Sequence, residues 1–192
     1  MKEKKKIIFL DIDGVLNGYN PLNLFGWNIV SKLHVGENWY RKVTRPCGVH
    51  ESKVKRLAKI VRETNAKVVM SSTWRSGYWK LLHQVDGIEY KCHEPNLIKL
   101  ATLLQKYNIH VIDITPKSSD GRREDEIVAW LSRHEDEVES YLVLDDEKTD
   151  LQCFVDDRLV QTVSGKGRWK YMGLKNTHIN QSIDILNRVI VK

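Results

Sequence analysis

The stretch Ile7-Ile8-Phe9-Leu10-Asp11-Ile12-Asp13-Gly14-Val15-Leu16-Asn17 constrains this chain more than any other. An apolar run of this length, bounded by Asp and Gly, reads as a fully buried strand of a parallel sheet. Strand residues alternate sides, so Asp11 and Asp13 would share a face if the strand continued. Gly14 argues that it stops, because glycine permits a sharp turn or a close backbone approach. Both carboxylates then sit at the carboxyl end of a buried strand, where open α/β sheets bind their ligands. Two acids this close repel each other unless something neutralises them, and a divalent cation does so directly. The competing reading is a solvated Asp-Gly turn after an ordinary strand.

The rest of the chain supplies partners for that strand. Val54, Leu57, Ala58 and Val61 fall at helical spacing and predict a helix over about 51–64. Lys67-Val68-Val69-Met70 is a second strand, running out into Ser71-Ser72-Thr73. A short helix is expected near 78–85. Another carries Leu97, Leu100, Ala101 and Leu104 inward, with Pro95 in its first turn. A third strand is expected over 109–114. Ser118-Ser119-Asp120-Gly121 offers N-caps to a helix that turns Ile127, Trp130 and Leu131 inward. Tyr141-Leu142-Val143-Leu144 is a further strand, ending in Asp145-Asp146, with a short one over 158–163. An amphipathic helix from about Thr177 presents Ile179, Ile183, Leu186 and Ile190. Strands alternating with helices predict a Rossmann-like three-layer α/β/α fold on a mainly parallel sheet. At 192 residues the chain suits a single domain. The irregular, aromatic-rich segment 18–49 is expected to be a cap or cover inserted after the first strand.

Three apolar strands therefore end in polar residues of different kinds: Asp11 and Asp13, Ser71 and Ser72, Asp145 and Asp146. Parallel strands present their carboxyl ends on one edge, so these sets can meet, with Arg122 and Arg123 opening the helix before the last acidic strand. Magnesium is a hard cation that takes oxygen ligands, typically one or two carboxylates plus phosphate and water. A carboxylate can attack phosphorus when cations screen its approach, and a second can protonate the leaving oxygen and later activate water. A hydroxyl and a guanidinium would hold the remaining phosphoryl oxygens.

These residues resemble a known family. Asp11-Ile12-Asp13-Gly14-Val15-Leu16 looks like the first motif of the haloacid-dehalogenase-like (HAD) phosphohydrolases, Ser71 like their second, and Leu144-Asp145-Asp146, with Asp150 four residues on, like their fourth. The resemblance implies that Asp11 is the nucleophile and Asp13 the general acid/base. It also implies that Mg2+ is held by the Asp11 side chain, the Asp13 carbonyl and Asp146, with Asp145 or Asp150 in support. Asp-Gly-Val-Leu-Asn at 13–17, Ser-Ser-Thr-Trp-Arg at 71–75 and Arg123 followed by Glu126-Ile127 resemble more closely the phosphatase domains associated with RNA-repair proteins. The family's third-motif cation is commonly lysine. Here Arg123 is best placed, with Lys117 and Arg122 as rivals, and Ser72 competes with Ser71 because a one-residue change of strand end reverses the side chain.

Substrate class is approached through charge and aromatic content. The net charge of +6 makes an anionic partner plausible. Aromatic and basic residues interleave at Trp39-Tyr40-Arg41-Lys42, Trp74-Arg75 with Tyr78-Trp79-Lys80, and Arg168-Trp169-Lys170-Tyr171. Bases stack on rings while phosphates meet cations, so a nucleotide or a single-stranded nucleic-acid end, such as a 3′-phosphate, is expected. Trp74 and Arg75, next to the second strand end, are the expected substrate contacts. The ordinary alternative is packing at core edges with cationic side chains stretched past the rings. A sugar phosphate or phosphoprotein substrate stays open, as does a receiver-type signalling domain or a non-catalytic nucleic-acid-binding module. The three cysteines, Cys47, Cys92 and Cys153, form no Cys-x-x-Cys pair, which argues against a disulfide framework or zinc knuckle. No run of about 18 apolar residues spans a membrane. Met1–Lys6 leads into the first strand without the apolar core of a signal peptide, so a cytoplasmic location without membrane attachment is expected.

Overall fold

The computed structural model describes residues 4–18, 48–83, 95–162 and 173–188. Its elements follow one another as strand β1 (Lys5–Leu10), helix α1 (Glu51–Thr64), β2 (Lys67–Met70), α2 (Arg75–His83), α3 (Pro95–Lys106), β3 (Val111–Ile114), α4 (Arg123–Arg133), β4 (Val138–Asp145), β5 (Leu159–Gln161) and α5 (Asn176–Leu186). The strands form one parallel sheet in the order β3-β2-β1-β4-β5. The expected Rossmann-like α/β fold is what the chain adopts.

Central position explains the composition of β1. Ile7, Ile8, Phe9 and Leu10 are all essentially inaccessible to solvent, because helices cover both faces of a parallel sheet. Ile8 and Leu10 join a core with Leu57 and Ile60 of α1, Leu100 and Leu104 of α3, and Ile185 and Leu186 of α5. Ile7 and Phe9 point the other way, into a smaller core with Ile127 and Trp130 of α4 and with Phe154. The Phe9 and Trp130 rings meet edge to face at 5.4 Å between centroids, a geometry that adds about 0.5–1.5 kcal/mol beyond the area buried.

The order of the strands places the site. From β1 the chain winds outward through α1 to β2 and β3, then crosses the other face through α4 and returns beside β1 as β4. Such a reversal opens a crevice at the carboxyl ends of the two strands that flank it. Those strands are β1, which Asp11 follows directly, and β4, which ends in Asp145.

Several boundaries differ from expectation. β3 begins at Val111 rather than at Ile109, because Asn108 takes a left-handed turn (φ 55°) that separates Ile109 from the strand. β4 begins at Val138, ahead of the apolar run, and its first half alternates between buried Val138 and Ser140 and partly exposed Glu139 and Tyr141. α4 is not capped by Ser118, Ser119 or Asp120. Its N-cap is Arg122, whose N–H is accepted by Asp120 Oδ1 at 3.3 Å. Most of the expected cover over 18–49, the aromatic-basic clusters at 39–42 and 168–171, and Ile190 lie outside the described residues. No helix among the described residues is long and apolar enough to cross a membrane.

Candidate active site

The end of β1 is built as a tight turn between two strands. The Asp11 N–H is accepted by Leu144 O at 3.0 Å, and Leu10 O accepts the Ser71 N–H at 3.0 Å, so Asp11 is fixed from β4 and β2 alike. Beyond it, Ile12 O accepts the N–H groups of Val15, Leu16 and Asn17. Gly14 (φ 71°) supplies the left-handed residue that this turn requires. Thr162, just past β5, donates its hydroxyl to Gly14 O at 2.7 Å.

Three carboxylates converge here. Asp11 and Asp145 are buried and Asp146 is half-buried, and one oxygen from each lies within 4.8 Å of the others. Arg123, in the first turn of α4, ion-pairs with Asp145 and approaches Asp11 Oδ1 at 3.4 Å. Asp145 Oδ1 also accepts the Glu147 N–H at 2.9 Å. One cation does not balance three acids in a desolvated space. Burial, with the neighbouring charge of Asp145 and against the pull of Arg123, pushes the Asp11 carboxyl up to about 8. Burial and Asp145 push Asp146 up to about 6, and burial raises Asp145 as well. For Arg123, burial opposes the charge, but Asp11 and Asp145 outweigh it and the guanidinium stays firmly protonated. An all-oxygen cluster that takes up protons for want of positive charge fits a hard divalent cation.

Asp13 takes no part in that triad through its side chain. Its Oδ1 accepts Asn17 Nδ2 at 2.6 Å and its Oδ2 accepts the Trp74 indole Nε1 at 2.9 Å. Asn17 in turn takes the Gly14 N–H on its Oδ1 at 2.8 Å. Asp11, Asp13, Arg123 and Asp146 line a cavity of about 150 Å³, together with Thr73, Glu147 and Asp150.

The other expected residues are sorted by this geometry. Among the three rival cations, Arg123 reaches the carboxylates, Arg122 is exposed and faces Glu124 and Asp125, and Lys117 is exposed. Ser71 and Ser72 are both fully buried. The Ser72 side chain hydrogen-bonds Asp11, whereas Ser71 Oγ has no partner among the described residues. Thr73, which the sequence reading passed over as the tail of the same polar run, is the hydroxyl that lines the cavity. Trp74, an expected substrate contact, is half-buried and donates its indole N–H to Asp13. Arg75 requires a correction: it is 6% exposed and its Nη2 pairs with Glu126 Oε1 at 2.6 Å. Its Nη1 donates to the carbonyls of Ser72 at 3.1 Å and Ser71 at 3.4 Å. A guanidinium with a buried carboxylate in reach is held inward, so Arg75 braces the end of β2 rather than facing the cavity. Asn17 and Glu126 lie within the motif stretches, and the structure adds them to the site's supporting residues. Their signal was the spacing to Asp13 and Arg123.

A family model described as the HAD domain in Swiss Army Knife RNA repair proteins matches residues 7–167. No curated protein matches the chain, and no solved structure does.

Proposed function

Because the chain belongs to the family of HAD domains in Swiss Army Knife RNA repair proteins, we propose that it is a magnesium-dependent phosphomonoester hydrolase that works through an aspartyl-phosphate on Asp11. The observation that carries this reading is the meeting of Asp11, Asp145 and Asp146 at the reversal of strand order, with Arg123 against them. Asp11, Asp146 and Asp145 would hold Mg2+, together with the Asp13 main-chain carbonyl. When bound, the ion neutralises these carboxylates and screens the approach of an anionic phosphate.

The chain's own residues do the rest. A carboxylate oxygen of Asp11 forms a bond to phosphorus as the bond from phosphorus to the leaving oxygen breaks. Asp13 gives its proton to that oxygen. In the second half Asp13 takes a proton from water as the water oxygen bonds to phosphorus, releasing inorganic phosphate and the Asp11 carboxylate. Arg123 and the hydroxyls of the Ser71–Thr73 run hold the remaining phosphoryl oxygens, and Ser72 orients Asp11.

The substrate is a nucleotide or the terminal phosphate of a nucleic acid, for example a 3′-phosphate. The family description and the net charge of +6 both support an anionic, RNA-like substrate. A cavity of about 150 Å³ among the described residues is small beside the roughly 300–1,000 Å³ of pockets that engulf a whole small-molecule ligand. A phosphoryl group at the end of a longer molecule suits such a space. Asp11→Asn should abolish magnesium-dependent phosphate release from an aryl phosphate, and full activity in that variant would rule out the mechanism. A panel of 3′- and 5′-phosphorylated oligonucleotides, nucleotides, sugar phosphates and phosphopeptides then assigns the substrate.

A further inference from the structure

Both oxygens of the Asp13 carboxylate are held by groups from outside its own turn of chain or from the far end of it. Trp74, from the loop between β2 and α2, reaches Oδ2 at 2.9 Å, and Asn17 reaches Oδ1 at 2.6 Å. Asn17 is itself fixed, 1% exposed and with its side-chain amide oxygen Oδ1 accepting the Gly14 N–H. Trp74 is half-buried and its ring packs against the larger core, so neither donor is free to swing away.

We propose that Trp74 is a positioning residue for the phosphoryl-transfer reaction, fixing the direction in which Asp13 delivers and collects its proton. The inference rests on the phosphatase reading above and deepens it. Indole Nε1–H is a donor with no accepting capacity, and the amide Nδ2 of Asn17 likewise only donates. Neither can accept a hydrogen bond from a protonated Asp13. Two of the carboxyl group's lone-pair sites are thereby closed to the acid hydrogen. That hydrogen is left to the remaining lobes of a carboxyl group that lines the cavity with Asp11. In the first half-reaction the proton passes from Asp13 to the leaving oxygen as the phosphorus–oxygen bond breaks. In the second, the same oxygen takes a proton from water as the phosphoryl group leaves Asp11. The indole donor also keeps the ionised carboxylate from rotating between the two halves. Trp74 thereby couples the second strand end to the first through chemistry rather than through contact with substrate.

A leaving group that departs readily without a proton separates this role from a general structural one. Trp74→Phe keeps the ring in the core and removes only the N–H. Against a nucleoside 3′-monophosphate, whose alkoxide needs protonation, kcat should fall by roughly ten- to hundredfold with KM nearly unchanged, within the range that positioned acid–base groups supply. With 4-nitrophenyl phosphate the first half-reaction should survive, giving a rapid burst of nitrophenolate followed by slowed turnover. Equal losses in the first half-reaction on both substrates, or no loss on either, would overturn the proposal. Nuclear magnetic resonance gives a readout independent of turnover: the Trp74 indole N–H signal should move on Asp13→Ala, and an unmoved signal overturns the contact itself. If Asp11→Asn keeps full activity, the aspartyl-phosphate mechanism fails instead, and the indole signal still reports on the hydrogen bond.

Discussion

Gly14 stands where backbone conformation and ligand geometry meet. Its φ of 71° places it in the left-handed region, which costs other residues roughly 1–2 kcal/mol. A β-carbon there would fall on the Asp146 side chain. Gly14→Ala therefore carries two penalties. It should lower stability by about 1 kcal/mol or more, and it should drive the Asp146 carboxylate out of the triad. The second effect is checked by titrating magnesium into the variant: the concentration for half-maximal activity should rise well beyond what the lost stability explains. The same turn shows why Asp11 and Asp13, two residues apart, stand in different surroundings. Asp11 points into the charged cluster beside Arg123, and Asp13 is drawn aside by the Asn17 amide and the Trp74 indole.

Among elements, the contact between the β2–α2 loop and α4 decides how firmly the cationic side of the site is held. Arg75 leaves the start of α2, gathers the carbonyls of Ser71 and Ser72, and ends on Glu126, which also accepts the Ser118 N–H at 3.2 Å. Glu126 lies one helical turn beyond Arg123. The buried ion pair thus ties the hydroxyl-bearing strand end to the helix that presents Arg123. Removing one partner leaves the other charge desolvated, so Glu126→Ala should cost about 3–5 kcal/mol. Replacing both residues with methionine should restore much of that stability, because the desolvation penalty disappears along with the attraction. Denaturant unfolding of the single and double variants tests the pair. A double variant as unstable as the single one would mean that the contact contributes through its backbone hydrogen bonds instead.

For the molecule as a whole, the acidic cluster links stability to pH and to metal. Asp11 holds its proton in the folded chain up to about 8 and Asp146 to about 6, against an ordinary value of 3.8. Between those limits the folded state binds more protons than the unfolded one, so stability falls as pH rises. The contribution is fully present below about pH 4 and is lost as pH climbs through 6 to 8. Arg123 moderates the effect without removing it. Metal-free protein should therefore melt at progressively lower temperature between pH 5.5 and 8. Magnesium should raise the melting temperature more at pH 8 than at pH 5.5, since a bound cation stabilises the ionised form. Melting curves in chelator and in magnesium across that range check the sign. A chelated protein that grows more stable toward pH 8 would contradict the burial of these acids.

The local pattern alone determined the fold class, the central strand and the acids at its end. Those features rest on short-range causes: apolar runs buried on two faces, helical spacing in the flanking segments, and a glycine that ends the strand. What the sequence could not decide was which neighbours each polar side chain would find. Ser72 rather than Ser71 meets Asp11, and Arg123 rather than Arg122 reaches the carboxylates. Trp74 turns to Asp13, and Arg75 turns inward to Glu126. Each outcome depends on strand order and on the side from which α4 crosses the sheet. Those are long-range choices that bring residues distant along the chain, such as Asp13 and Trp74 or Arg75 and Glu126, into hydrogen-bond contact. Only the assembled tertiary structure, in which β4 returns beside β1, sets those distances.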